Sequence, residues 1–155
     1  MRQEQMQNFH LTLSVSGLDC RDIFNQLPDN VSVHSWVPQV DVLQHASLAI
    51  VHGGLGSVKE CVVNNVPMLT VPMGRDQHDN GIRIRHHHLG LDVDIDKVDM
   101  PQLLDMILQI NHKPEFGEGV ARMRQLFLEE DERLPIVKFV ASKIGLPQPI
   151  ALKQK

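Results

Sequence analysis

The pattern of this chain predicts an α/β fold: a parallel sheet flanked by helices, in one domain. Three observations carry that expectation. Short runs of β-branched and apolar residues alternate with stretches of helical period. Polar clusters follow three of the apolar runs, "WVPQ" at 36–39, "HGGLGS" at 52–57 and "PMGRDQHDN" at 72–80. A length of 155 residues suits one domain with a real core and is too short for two ordinary ones.

The elements follow in order. "FHLTLSV" at 9–15 and "VSVHSWV" at 31–37 read as strands, with Pro28, Asp29 and Asn30 supplying a turn before the second. "DVLQHA" is a short helical connection and "SLAIV" a third strand. From Leu55, the residues Val58, Val62 and Val66 recur at helical spacing until Pro67 stops the pattern. "MLTVPM" is the fourth strand, Arg75 to His88 a polar helix ended by Gly90, and "LDVDI" a fifth strand. Beyond Asp99 three helical faces are expected: Leu103, Leu104, Ile107 and Leu108; Val120, Met123 and Phe127; and Ile136, Val140 and Ile144. Residues 1–146 are read as a single domain and 147–155 as a loose tail.

Composition narrows the function. Charged residues make up 22% and the hydrophobic set 42%, with 15 Lys and Arg against 19 Asp and Glu, so there is no basic footprint for nucleic acid. Cys20 and Cys61 stand apart, without a Cys-x-x-Cys pair, and imply neither a disulfide framework nor a zinc knuckle. No apolar stretch reaches the roughly 18 residues of a membrane span, and the start lacks the pattern of a signal peptide. A cytoplasmic protein is expected.

In a parallel sheet the carboxyl ends of the strands share one rim, so the three polar clusters are expected to meet there. Gly53, Gly54 and Gly56 let backbone N–H groups approach a ligand, and the helix that follows directs its positive dipole end to the same place, which suits a phosphate. Ser57 and Glu60 also fit capping-box spacing, in which they would merely close the helix end. A dinucleotide fingerprint starting at Gly54-x-Gly56 fails at Lys59, where close helix–strand packing wants a small residue. Trp36, the single tryptophan in a chain without tyrosine, is either a core filler or a flat platform for a ring. Asp76 and Gln77 offer acceptors and donors suited to sugar hydroxyls. The run His86 to His88 is expected to be a solvated helix face rather than a metal site, because neighbouring residues on a helix point about 100° apart.

Taken together, Trp36-Val37-Pro38-Gln39, Leu43, His45, His52-Gly53-Gly54-x-Gly56-Ser57, Glu60, Pro67, Pro72, Asp76-Gln77 and Asn80 resemble the donor-binding signature of the UDP-glycosyltransferases, including their bacterial macrolide-type members. The resemblance covers about residues 31–90. It implies the Rossmann-like C-terminal half of a two-domain GT-B fold. By that resemblance Trp36 would stack on the base of the nucleotide while the Val37 and Gln39 main chain reads its edge. Glu60 would bind the ribose, His52, Gly54 and Ser57 the diphosphate, and Asp76 and Gln77 the transferred sugar, with Gly53, Gly56 and Asn80 completing the set. The sequence lacks the Trp-Asn pair that plant members carry before the serine, and Gly81 stands where alanine is usual.

The function so implied is the donor-binding half of an inverting glycosyltransferase that moves a hexosyl group from a UDP- or dTDP-sugar to a hydroxyl of a small acceptor, without cofactor or metal. The acceptor half and its histidine base are expected to lie outside this chain, which then holds no catalytic residue of its own. The rivals are a non-catalytic donor-binding subunit working with a separate acceptor-binding chain and a nucleotide-sugar epimerase, against which "WVPQ" counts. The likeness also implies that the family's first strand and helix are missing, so that the strands at 9–15 and 48–52 must pair directly, pair with another copy, or stay open.

Overall fold

The computed structural model describes residues 9–15, 27–133, 139 and 142–143, with the backbone alone given for 130–133. Residues 1–8, Cys20, the face Ile136, Val140 and Ile144, and the tail 147–155 lie outside the described residues. Among the described residues ten elements follow one another: β1 (Leu11–Ser14), β2 (Val31–His34), α1 (Gln39–Leu43), β3 (Ala49–Val51), α2 (Leu55–Val63), β4 (Met68–Thr70), α3 (Gln77–His86), β5 (Gly90–Asp92), α4 (Met100–His112) and α5 (Pro114–Arg133). Every strand pairing among the described residues is parallel, and the order of these elements is the one the sequence pattern predicts.

Among the described residues the strands fall into two sheets. β3, β4 and β5 lie side by side with β4 in the middle, Ala49 opposite Met68 and Met68 opposite Gly90. All three residues of β4 are buried, as a central strand covered on both faces requires. Successive side chains on a strand point to opposite faces, and the core divides accordingly. Met68 joins Val58, Cys61, Val62, Ile84 and Val120, from α2, α3 and α5. Leu69 joins Val93, Ile107, Ile110 and Phe116, drawn largely from α4 and the start of α5.

β1 and β2 form a second sheet, with Leu11 opposite Val31 and Ser14 opposite His34. Neither strand contributes to either core cluster, and none of their side chains is buried. Among the described residues, β1 pairs only with β2 and β3 only with β4, so the direct pairing of 9–15 with 48–52 is not what the structure shows. The strands are also shorter than the apolar runs that announce them. After Thr70 the run continues through Val71 into Pro72, which has no N–H to offer a ladder.

Helix ends explain two further departures from the sequence reading. α2 stops because Asn65 takes a left-handed conformation (φ 60°), letting the Val66 N–H reach the Cys61 carbonyl at 2.9 Å and the Asn65 N–H reach Val62 at 3.0 Å. That closure satisfies carbonyls the helix would leave open. α3 ends the same way. His88 is left-handed (φ 56°), Leu89 N–H donates to the Ile84 carbonyl at 2.9 Å, and buried Leu89 packs behind the turn. His88, and not Gly90, therefore ends this helix. Gly90 begins β5 instead, and a side chain there would run into the Met68 carbonyl.

Candidate functional site at the strand ends

The rim beyond β2, β3 and β4 is built from two tied pairs of segments. The first pair joins the start of α1 to the start of α2. The Nε2 of Gln39, first residue of α1, donates to Glu60 Oε2 at 2.6 Å and to Ser57 Oγ at 3.3 Å. Ser57 and Glu60 therefore serve this contact and do not form a capping box: α2 starts at Leu55 with Gly54 as its N-cap, and no side chain caps it. Its first intrahelical bond runs from Val58 N–H to the Gly54 carbonyl at 3.0 Å. The N–H groups of Leu55, Gly56 and Ser57 precede that bond and are the donors a helix leaves without intrahelical acceptors. They face a region where the helix dipole favours negative charge.

The turn that leads into α2 depends on two glycines. Gly53 has φ 84°, a conformation side chains rarely adopt, and a Cβ there would lie 3.4 Å from the Gln77 carbonyl oxygen and 3.6 Å from Thr70 Cβ. Gly54 is extended, but a Cβ on it would strike the ring of His52, which lies against its Cα. Nothing stands near a Cβ at Gly56, which is exposed in the first turn of the helix.

The second pair joins this turn to the segment after β4. Asp76 immediately precedes α3 and is exposed; Asn80, one turn into the helix, is 7% exposed. Asn80 Nδ2 donates to the Gly53 carbonyl at 2.9 Å and to Asp76 Oδ2 at 3.1 Å. Gln77 turns its Oε1 back to accept the Met73 N–H at 2.7 Å. Asn80 thus sits beneath the rim rather than on it, whereas Asp76 and the remaining amide group of Gln77 stay at its edge.

Trp36 is 72% exposed, which excludes the core-filler reading and leaves a free indole face just before Pro38 and α1. Val37 beside it is half-buried. The histidines at 86–88 are exposed, His86 and His87 meeting edge to face at 5.0 Å between ring centres. Among the described residues no three His, Cys, Asp or Glu side chains are placed to hold a metal ion.

One residue of this region escapes a reading of the sequence. Thr70 is fully buried beneath Gly53 and donates to the Leu91 carbonyl at 3.3 Å; inside "MLT" it reads only as a strand former. At Gly81 a methyl would come 3.1 Å from Asp92 Cβ, so the neighbour would have to give by a few tenths of an ångström. Asp92 occupies that space while its carboxylate takes a 2.7 Å ion pair from Arg85.

Fold and rim together define a parallel α/β domain of the class in which ligands bind beyond the carboxyl ends of the strands. A family model described as UDP-glucoronosyl and UDP-glucosyl transferase matches residues 23–133. UDP-glucuronosyltransferase 3A1 of Xenopus laevis is 37% identical over 87 residues, 55% of this chain and 17% of that relative. Oleandomycin glycosyltransferase of Streptomyces antibioticus is 28% identical over 122 residues, 79% of this chain and 28% of the relative. The crystal structure of CalG4, the calicheamicin glycosyltransferase, shares the fold with a TM-score of 0.76 over 87% of this chain and 36% of that one, at 24% identity. The chain belongs to the UDP-glycosyltransferase family, and its fold is that of the family's C-terminal GT-B domain. It spans less than a third of the length of these two curated relatives.

Proposed function

We propose that this chain holds the nucleotide-sugar donor of an inverting glycosyltransferase, a UDP- or dTDP-hexose, for transfer to a hydroxyl of a small acceptor. The observation that carries the reading is the uncapped N-terminus of α2, preceded by the Gly53-Gly54 turn, flanked by the Gln39–Glu60 contact and with the indole of Trp36 exposed. Trp36 stacks on the base and the main chain at Val37 and Gln39 reads its edge. Glu60, already aligned by Gln39, takes the ribose hydroxyls. His52, Gly54, Gly56 and Ser57 surround the diphosphate, and Asp76 and Gln77 take hydroxyls of the sugar.

The chemistry follows from that placement. A base outside this donor site deprotonates the acceptor hydroxyl, which attacks the anomeric carbon from the face opposite the leaving group. The bond to the diphosphate breaks, and the charge gathering on the diphosphate is met by the N–H groups of α2 and its dipole. No metal or cofactor is needed for that stabilisation, and nucleotide binding is expected to survive EDTA. Residues 1–146 act as one donor-binding domain in the cytoplasm, with the acceptor side supplied by a further domain or chain. The edges of β1 and β3 that are open among the described residues, where Leu11 and Ile50 are exposed, favour self-association.

Calorimetric titration with UDP and dTDP tests the reading. Saturable binding, weakened by about 1–3 kcal/mol in Glu60→Ala through the loss of buried hydrogen bonds, supports it. Unchanged affinity in Glu60→Ala would remove the ribose from this carboxylate.

A further inference from the structure

We infer that Asn80 is a positioning residue that couples the two halves of the donor site, setting the Gly54 N–H for the diphosphate and the Asp76 carboxylate for the sugar through one side-chain amide. The inference rests on the donor-site reading above and concerns a residue which that reading does not bring into contact with the donor.

Thr70 and Asn80 are the two buried polar side chains among the described residues, and both lie under Gly53. Buried polar groups are costly unless hydrogen-bonded, so their convergence under one glycine marks a point where geometry is held closely. The two protons of Asn80 Nδ2 go to different segments, one to the Gly53 carbonyl at 2.9 Å and one to Asp76 Oδ2 at 3.1 Å. Gly53 lies 27 positions from Asn80 in the chain, whereas Asp76 lies one helical turn away.

The consequence for Gly54 follows from peptide geometry. The Gly53–Gly54 peptide is planar and trans, so its C=O and N–H point in opposite directions. Anchoring the carbonyl inward on Asn80 turns the Gly54 N–H outward, toward the rim where the N–H groups of Leu55, Gly56 and Ser57 already lie. Glycine at φ 84° would otherwise swing this peptide freely. The consequence for Asp76 is similar: with Oδ2 engaged by Asn80, the carboxylate is held in one rotamer and presents Oδ1.

The test is a double-substitution cycle read with two probes, UDP and UDP-glucose, on the full chain. Asp76→Ala is expected to lower affinity for UDP-glucose while leaving UDP unaffected. Asn80→Ala is expected to weaken UDP itself by about tenfold, the cost of roughly one charge-assisted hydrogen bond, and to lower the UDP-glucose to UDP affinity ratio as well. Because Asn80 acts on the sugar through Asp76, the double variant should show the same ratio as Asp76→Ala alone. Asn80→Ser, which keeps one donor in a smaller side chain, should retain part of the affinity. Each variant is checked for cooperative thermal unfolding, and Asn80→Ser carries the comparison if Asn80→Ala does not fold. Asn80 variants that bind both probes within twofold of the wild type, or additive effects of Asp76 and Asn80 on the ratio, would overturn the inference and leave the donor-site reading intact. A wild-type chain that binds neither probe would overturn that reading first.

Discussion

Gly54 and His52 illustrate how much at the residue scale depends on a single missing methyl. The imidazole of His52 lies over the Gly54 Cα, and any Cβ there would occupy the ring's place. Gly54→Ala therefore displaces His52 from the start of α2. UDP affinity should fall by tenfold or more, measured by calorimetry, while the thermal midpoint changes little because His52 is exposed. Gly53→Ala behaves differently. Its left-handed conformation and its proximity to Thr70 and Gln77 put strain into the fold itself, at about 1–3 kcal/mol. A urea midpoint for Gly53→Ala equal to that of the wild type would contradict this. The glycine turn was legible in the sequence because Gly53, Gly54 and Gly56, crowded just before a helical pattern, weaken a helix start unless the backbone must turn sharply or be approached closely. The task of Asn80 was not: the resemblance puts it in the donor-binding set, but nothing in the sequence joins it to Gly53, 27 positions away.

Elements were legible in order and kind but not in how they end. Pro67 signals a stop after α2, yet the chain has already turned at Asn65, and the polar run His86 to His88 conceals a left-handed cap at His88. Glycine is the usual residue at such a helix end, and so Gly90 drew the expectation instead. The cap has a second use: α5 packs onto it through Gly119, where a side chain would strike the carbonyls of His87 and His88. Gly119→Ala should destabilise the domain by about 1–3 kcal/mol in urea unfolding, the usual cost of overpacking a tight contact, and a neutral result would mean that α5 does not sit there. At the start of α4, Asp99 and Gln102 form a reciprocal capping box, Gln102 N–H to Asp99 Oδ1 at 2.8 Å and Asp99 N–H to Gln102 Oε1 at 3.1 Å. Asp99→Ala should cost about 1 kcal/mol by the same measurement.

Over the whole molecule, β4 divides two cores, with Met68 and Leu69 facing opposite layers of helices. Cys61 lies in the first of these, fully buried, and burial with the nearby charge of Glu60 pushes its thiol from 9.0 up to about 12. The thiol therefore stays protonated and inaccessible in the folded protein. In a Cys20→Ser background, labelling by a thiol reagent at pH 8 should proceed only as fast as global unfolding; immediate stoichiometric labelling would contradict the packing. The folded chain holds this proton where the unfolded chain releases it, so the contribution to stability is present below about 9 and is lost as the pH rises toward 12. The β1–β2 sheet stands outside both cores. Its strands were legible from their β-branched residues, but its place outside the cores of the described residues was not, because an apolar pattern declares that a face needs cover without naming what provides it. Central to the donor-binding proposal is a nucleotide base lying on Trp36, and the chain offers a direct reading of it. With one tryptophan and no tyrosine, its emission reports on that single indole, which is 72% exposed. Titration with UDP should quench and shift the emission along the same saturation curve that calorimetry records, because stacking covers the ring. Binding seen by calorimetry with Trp36 emission unchanged would contradict the claim.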